Sequence, residues 1–179
     1  SFFTDEDFQS SFDTWDDDTE TVQYGIFCLL KGTPVLTNKG YKPIEFIKKD
    51  EIILNMDKKE RTVRNIVKQV VKVDKSDENR DLFKDKYRLK EEKSLIVTGG
   101  HMVKLGDEYH LPINSSRFEN IQKDKSVNEF YHLELDEYDY FMAAGIPVES
   151  LCTEENTQQK IDYYKERGLE YQDLISSKK

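Results

Sequence analysis

What the chain lacks narrows its function before any motif is read. Its 179 residues hold only two cysteines, Cys28 and Cys152. A secreted scaffold stapled by disulfides carries more, so a reducing compartment and a cytoplasmic location are expected. The two cysteines and three histidines (His101, His110 and His132) show neither C-x-x-C nor H-x-x-x-H spacing, so neither a metal nor any other cofactor is expected. No apolar run approaches the ~20 residues that span a bilayer. The first residues show no basic-then-apolar signal pattern. The chain begins at Ser1 rather than Met, which fits a processed end or a piece of a longer chain. Internal repeats and low-complexity tracts are also missing.

An excess of positive charge is missing too, and its distribution says more than its total. The net charge is −9, and eight acids, from Asp5 to Glu20, precede the first basic residue, Lys31. The other 28 acids face 27 bases, so the body is nearly neutral and the arm carries the charge. Nothing here attracts a phosphate backbone, and nucleic-acid binding is not expected. Within the arm, residues 1–23, Phe8, Phe12 and Trp15 stand at i, i+4 and i+7, one stripe of a helix. Such acidity favours a disordered tail. The stripe favours a short helix that lays three aromatics into the groove of a protein partner.

What is present reads as β. From residue 24 to residue 150, short clusters of Val, Ile, Leu, Phe and Tyr alternate with turn signals. "TPVLT", "NKG" and "YKPIEFI" read as strand, turn, strand, followed by "EIILNMD" and "RTVRNIVKQVVKV". The polar stretch "DKSDENRDLFKDK" reads as a long loop or surface excursion. "LIVTGGHMVKL" returns to β around a Gly-Gly break, and "NEFYHLELDEYDYFMAAGIPVES" reads as two strands around an acidic turn. Residues 151–179 change register to helix, with Thr153 three residues ahead of Asn156 and Gly168 as a stop. Ile161, Tyr164, Leu169 and Leu174 are the apolar residues expected to pack that tail on the body.

Cys28 is the residue that asks for an explanation. It stands between Phe27 and Leu29, ahead of a Gly-Thr-Pro turn. A lone cysteine in that setting is either a small buried hydrophobe or a nucleophile aimed at its own backbone. Three blocks bear on the choice. The opening "CLLKGTPVL" with "NKGYKPIEFI" and "DEIIL", the tetrapeptide Thr98-Gly99-Gly100-His101 after a strand, and the closing "FYHLELDEYDYFMAAGIPVES" occur in that order. Together, over Cys28 to Ser150, they resemble the Hint domain of inteins, Hedgehog autoprocessing domains and bacterial intein-like domains.

The resemblance implies a fold and a chemistry. The fold is an all-β, flattened horseshoe of short strands. The chemistry is attack by the Cys28 thiol on the carbonyl of Phe27, turning the Phe27–Cys28 amide into a thioester. His101 would protonate the departing nitrogen and Thr98 would hold the imidazole or the scissile carbonyl. Splicing members end in His-Asn followed by Cys, Ser or Thr. Here Glu149-Ser150 is followed by Leu151, so there is no amide side chain to cyclise and no second nucleophile. His132 stands where the family often has an acid, which bears on the first step. Two functions follow as expectations. One is a structural or interaction module that has lost splicing, such as a component of a large assembly like a virion. That setting rests on the occurrence of such domains in large eukaryotic viruses. The other is a self-processing domain limited to the N–S acyl shift at Phe27–Cys28.

Overall fold

Alternation decides the longest element. Between Glu60 and Lys72, Val63, Val67, Gln69 and Val71 turn inward while charged neighbours turn out, and the segment forms a 13-residue strand, β5. The computed structural model describes residues 26–123 and 125–176. The acidic arm, with Phe8, Phe12 and Trp15, therefore lies outside the described residues.

Four strands precede β5: β1 (Leu29–Leu30), β2 (Pro34–Thr37), β3 (Gly40–Pro43) and β4 (Ile52–Leu54). Eight follow: β6 (Tyr87–Leu89), β7 (Glu92–Val97), β8 (Val103–Leu105), β9 (Glu108–His110), β10 (Phe118–Asn120), β11 (Val127–Leu135), β12 (Tyr140–Ala143) and β13 (Ile146–Glu149). They pair edge to edge in the order β10-β6-β7-β1-β11-β5-β4-β2-β12-β13-β8-β9, with β3 paired onto β2. The two ends of that order, β9 and β10, are consecutive in sequence and joined by residues 111–117. A flat sheet would hold those edges ~50 Å apart at ~4.8 Å per strand. A connection of that length reaches at most ~30 Å. The sheet must curl, and the expected horseshoe is what the connection enforces.

Two local readings are corrected. The closing block forms three strands, β11, β12 and β13, rather than two. The extra reversal is a two-residue turn at Ala144-Gly145, whose φ angles are 51° and 78°. Positive φ at both central residues gives the turn a twist that matches paired strands. The excursion after β5 is not all loop, since Arg80–Phe83 forms one helical turn, α1.

The tail is helical, as expected: α2 spans Thr157–Lys165 and α3 spans Tyr171–Ser176. Thr153 and Asn156 set its entry by exchanging side-chain and backbone hydrogen bonds of 2.7 and 3.1 Å. Gly168 ends it at φ 71°, where the Leu169 N–H returns to the Tyr164 carbonyl at 2.9 Å. Tyr164, Leu169 and Leu174 pack as expected, and Ile161 does not. Ile161 is 50% exposed, while Tyr163 and Tyr164 enter a cluster with Tyr109, Tyr138 and Tyr140. Leu169 and Leu174 pack at its margin. Tyrosines win that face because their hydroxyls are answered inside it: the Tyr164 hydroxyl lies 2.8 Å from that of Tyr138 and 2.6 Å from that of Tyr140. Among the described residues no helix is long and apolar enough to cross a membrane.

Tyr164→Ala is expected to destabilise the fold by about 3–5 kcal/mol, as loss of a buried aromatic does. Ile161→Ala should change stability by less than about 0.5 kcal/mol. Urea unfolding midpoints of the two variants check the assignment of faces.

Candidate active site

Strand register brings the expected residues together. Leu29 pairs with Val97 on one side and with Tyr131 on the other. Continuing both registers by one residue sets Cys28 opposite Thr98 and opposite His132, each on a neighbouring strand line. Residues opposite each other share a face and lie about 4.5–5.5 Å apart at Cα. The Cys28 backbone is pinned on both sides: its N–H, in the amide with Phe27, donates to Thr98 Oγ1 at 2.9 Å, and its carbonyl accepts the Thr98 N–H at 2.9 Å.

After Thr98 the chain turns at once. The His101 N–H closes the turn on the Thr98 carbonyl at 3.2 Å, and the Gly99 carbonyl accepts from Ile113 at 2.9 Å. The turn returns the His101 ring to the His132 ring, with centroids 4.6 Å apart and planes tilted by 50°. His101 Nε2 lies 2.9 Å from the Glu149 carbonyl oxygen, an acceptor only, so Nε2 carries the proton. Nδ1 therefore holds the lone pair, and it is buried without a hydrogen-bond partner. The His132 Nδ1 accepts the N–H of Leu133 at 3.0 Å.

The site is dry, and that sets its charge. Burial pushes the Cys28 thiol well above its ordinary range. Burial also lowers the basicity of His101, opposed by the Glu149 charge and by the Glu149 and Cys28 backbones. His132 is lowered further, by burial and then by its histidine neighbour. All three groups are held neutral.

The closing block supplies walls to the site. Leu151 is buried in one apolar cluster with Ile26, Cys28, Val67, Val71 and Phe130, and its N–H donates to the Leu133 carbonyl at 2.9 Å. Ser150 Oγ accepts the Asp139 N–H at 3.1 Å. The Glu149 carboxylate turns the other way and accepts from the Tyr138 hydroxyl at 2.5 Å. Glu149 thus links the tail's tyrosines to the His101 ring. That role was not apparent in the sequence, where the only signal was the density of tyrosine in "DEYDYF" and "DYYKERGLEY". Cys152 belongs to the tyrosine cluster and not to the Cys28 site. Among the described residues no group of three or more His, Cys, Asp or Glu is arranged to hold a metal ion.

The comparisons agree with this geometry at the level of the fold. A family model described as the Hint domain matches residues 27–155. Among solved structures, the chain is similar to the solution structure of a bacterial intein-like domain from Clostridium thermocellum. The TM-score is 0.53 at 15% identity, covering 72% of this chain and 100% of that one. The gp41-1 intein in a form carrying three substitutions (TM-score 0.46, 18% identity, 69% of this chain and 98% of that one) is also similar. So is the MchDnaB-1 intein (TM-score 0.45, 13% identity, 69% and 99%), in its N145AA form. A comparison with curated protein sequences finds no match.

The buried histidines generate a pH dependence. Their folded-state pKa values lie below the ordinary ~6.5, so as pH falls the unfolded chain takes up protons first. The stability they contribute is present above about pH 6.5 and is lost as pH falls below it, by up to about 1.4 kcal/mol per pH unit for each histidine. The urea midpoint should drop between pH 7.5 and pH 5, and His132→Gln should shrink that drop. Equal pH profiles for the two proteins would contradict a neutral, buried His132.

Proposed function

The chain belongs to the Hint domain family, and from that premise we propose that it is a self-processing domain limited to the first step, an N–S acyl shift at Phe27–Cys28. The observation that carries the reading is the lone pair on His101 Nδ1. It is buried and unpartnered, on a ring whose other nitrogen is committed to the Glu149 carbonyl. In this reading Nδ1 accepts the Cys28 thiol proton and the sulfur attacks the Phe27 carbonyl carbon. The same proton passes from Nδ1 to the Cys28 nitrogen as the C–N bond breaks. The product is a thioester on Cys28 and a free α-amine on the same residue. Thr98 orients the amide by accepting its N–H. His132, across the strand from Cys28 and against the His101 ring, acts as a positioning residue.

Amide-to-thioester exchange is uphill, so the step needs a capturing nucleophile, water or a small thiol. Neither Ser150 nor Leu151 offers a C-terminal route. Ser150 has no amide to cyclise, and Leu151 presents an apolar side chain to the Cys28 cluster. The reading is therefore of conditional cleavage without splicing.

The dryness of the site favours a second reading. Cys28 is fully buried with its thiol held protonated, which suits a module that keeps the fold without turnover. In that reading the domain is a structural or interaction unit, with the arm's Phe8, Phe12 and Trp15 engaging a protein partner in a larger assembly such as a virion.

Dithiothreitol separates the two. Under the first reading the full chain should yield fragments 1–27 and 28–179, followed by intact mass. Cys28→Ala should give no cut, and His101→Ala should cut more slowly by ~10²–10⁴-fold, the usual loss with an acid–base group. No cut is expected at Ser150–Leu151. A wild-type chain that stays whole after days with thiol would leave the module reading standing.

A further inference from the structure

The residue whose carbonyl would be attacked is itself held. The Phe27 ring stacks on Phe83 of α1, with centroids 5.0 Å apart and planes within 3°. It also lies against Gly100. A Cβ added there would meet the Phe27 ring atoms Cε1, Cδ1 and Cζ at 2.1, 2.6 and 2.7 Å, closer than real contacts allow. Any side chain at position 100 would displace the ring. The result is a slot bounded by an aromatic face and a glycine backbone.

The excursion that provides Phe83 is docked backbone to backbone. The Gly100 N–H donates to the Leu82 carbonyl at 3.0 Å. A Cβ at Gly99 would come within 2.0 Å of the Asp81 carbonyl oxygen. Gly99 is thus needed for close approach between α1 and the turn that carries His101, and Gly100 for the seat of the Phe27 ring. A segment that reads as solvated loop reaches the reacting bond by this route.

We propose that Phe83 and Gly100 form a pocket for the flat side chain of the residue that precedes the nucleophile, making the domain selective for an aromatic acyl group at that position. The inference rests on the self-processing reading of Cys28. Its physical basis is short leverage. Two side-chain torsions separate the Phe27 ring from its backbone, so a fixed ring fixes the carbonyl that the sulfur must reach. A β-branched side chain is too thick near the backbone to enter such a slot, and a short one leaves the carbonyl unheld. A small misplacement of a reacting carbonyl is enough to slow attack by orders of magnitude.

The test is a series of thiol-cleavage rates on the full chain. Phe27→Tyr should cleave within about threefold of wild type, whereas Phe27→Val and Phe83→Ala should each be slower by roughly 10–100-fold. Phe83 is only partly buried, so its removal spares the core. Wild-type rates for Phe27→Val or Phe83→Ala would overturn the proposal. If wild type itself does not cleave, the self-processing reading fails and the selectivity with it. A cycle of urea midpoints for Phe27→Leu, Phe83→Leu and the double variant then decides the slot alone. Coupled midpoints keep it as the seat of the Phe27 ring, and additive midpoints overturn it.

Discussion

Two hydrogen bonds between Cys28 and Thr98, one to the Thr98 hydroxyl and one between backbones, hold the rest of the site in place. β1 is only two residues long, yet it lies between β7 and β11 and pairs with both. That central position fixes Cys28 between Thr98 and His132. A strand this short has no stability of its own. It is held by its ladders to β7 and β11 on either side.

Dryness gives the site both its reactivity and its restraint. Burial leaves His101 Nδ1 without a hydrogen-bond partner, and under the self-processing reading that lone pair takes the Cys28 proton. The same exclusion holds the thiol protonated and both imidazoles neutral. Leu151 belongs to the apolar cluster that encloses the sulfur, and the tail's tyrosines secure Glu149, whose carbonyl sets the His101 tautomer. A thiol kept neutral by desolvation does not ionise alone. The tail is part of this arrangement, because Tyr164 joins the hydroxyl network that ends on the Glu149 carboxylate.

Much of the fold was legible in the chain. The alternation of Val63, Val67 and Val71 gave β5, Gly40 and Gly168 marked turns, and the three blocks around Cys28, Thr98–His101 and His132 pointed to the family. The errors have physical causes. Ala144 at φ 51° carries no turn signal in its residue type, so the third closing strand was hidden. Ile161 looks like core by hydropathy, but a tyrosine whose hydroxyl finds a buried partner can outcompete an aliphatic residue for an inner face.

The sequence by itself determined the residue types, their order and the periods that make strands and a helical tail, because those depend on neighbours a few residues away. It also determined that neither Ser150 nor Leu151 carries the side chain that a splicing end requires. Only the tertiary structure decided what each group faces. Cys28 and Thr98 are seventy residues apart in the chain and share a hydrogen bond of 2.9 Å. Phe83, in a segment that reads as loop, stacks on Phe27, where Gly99 lets the α1 backbone approach and Gly100 leaves room for the Phe27 ring. The tautomer of His101 depends on a carbonyl 48 residues away. Such pairings have no local signature, since they arise from the register and curl of a sheet in which distant strands become neighbours.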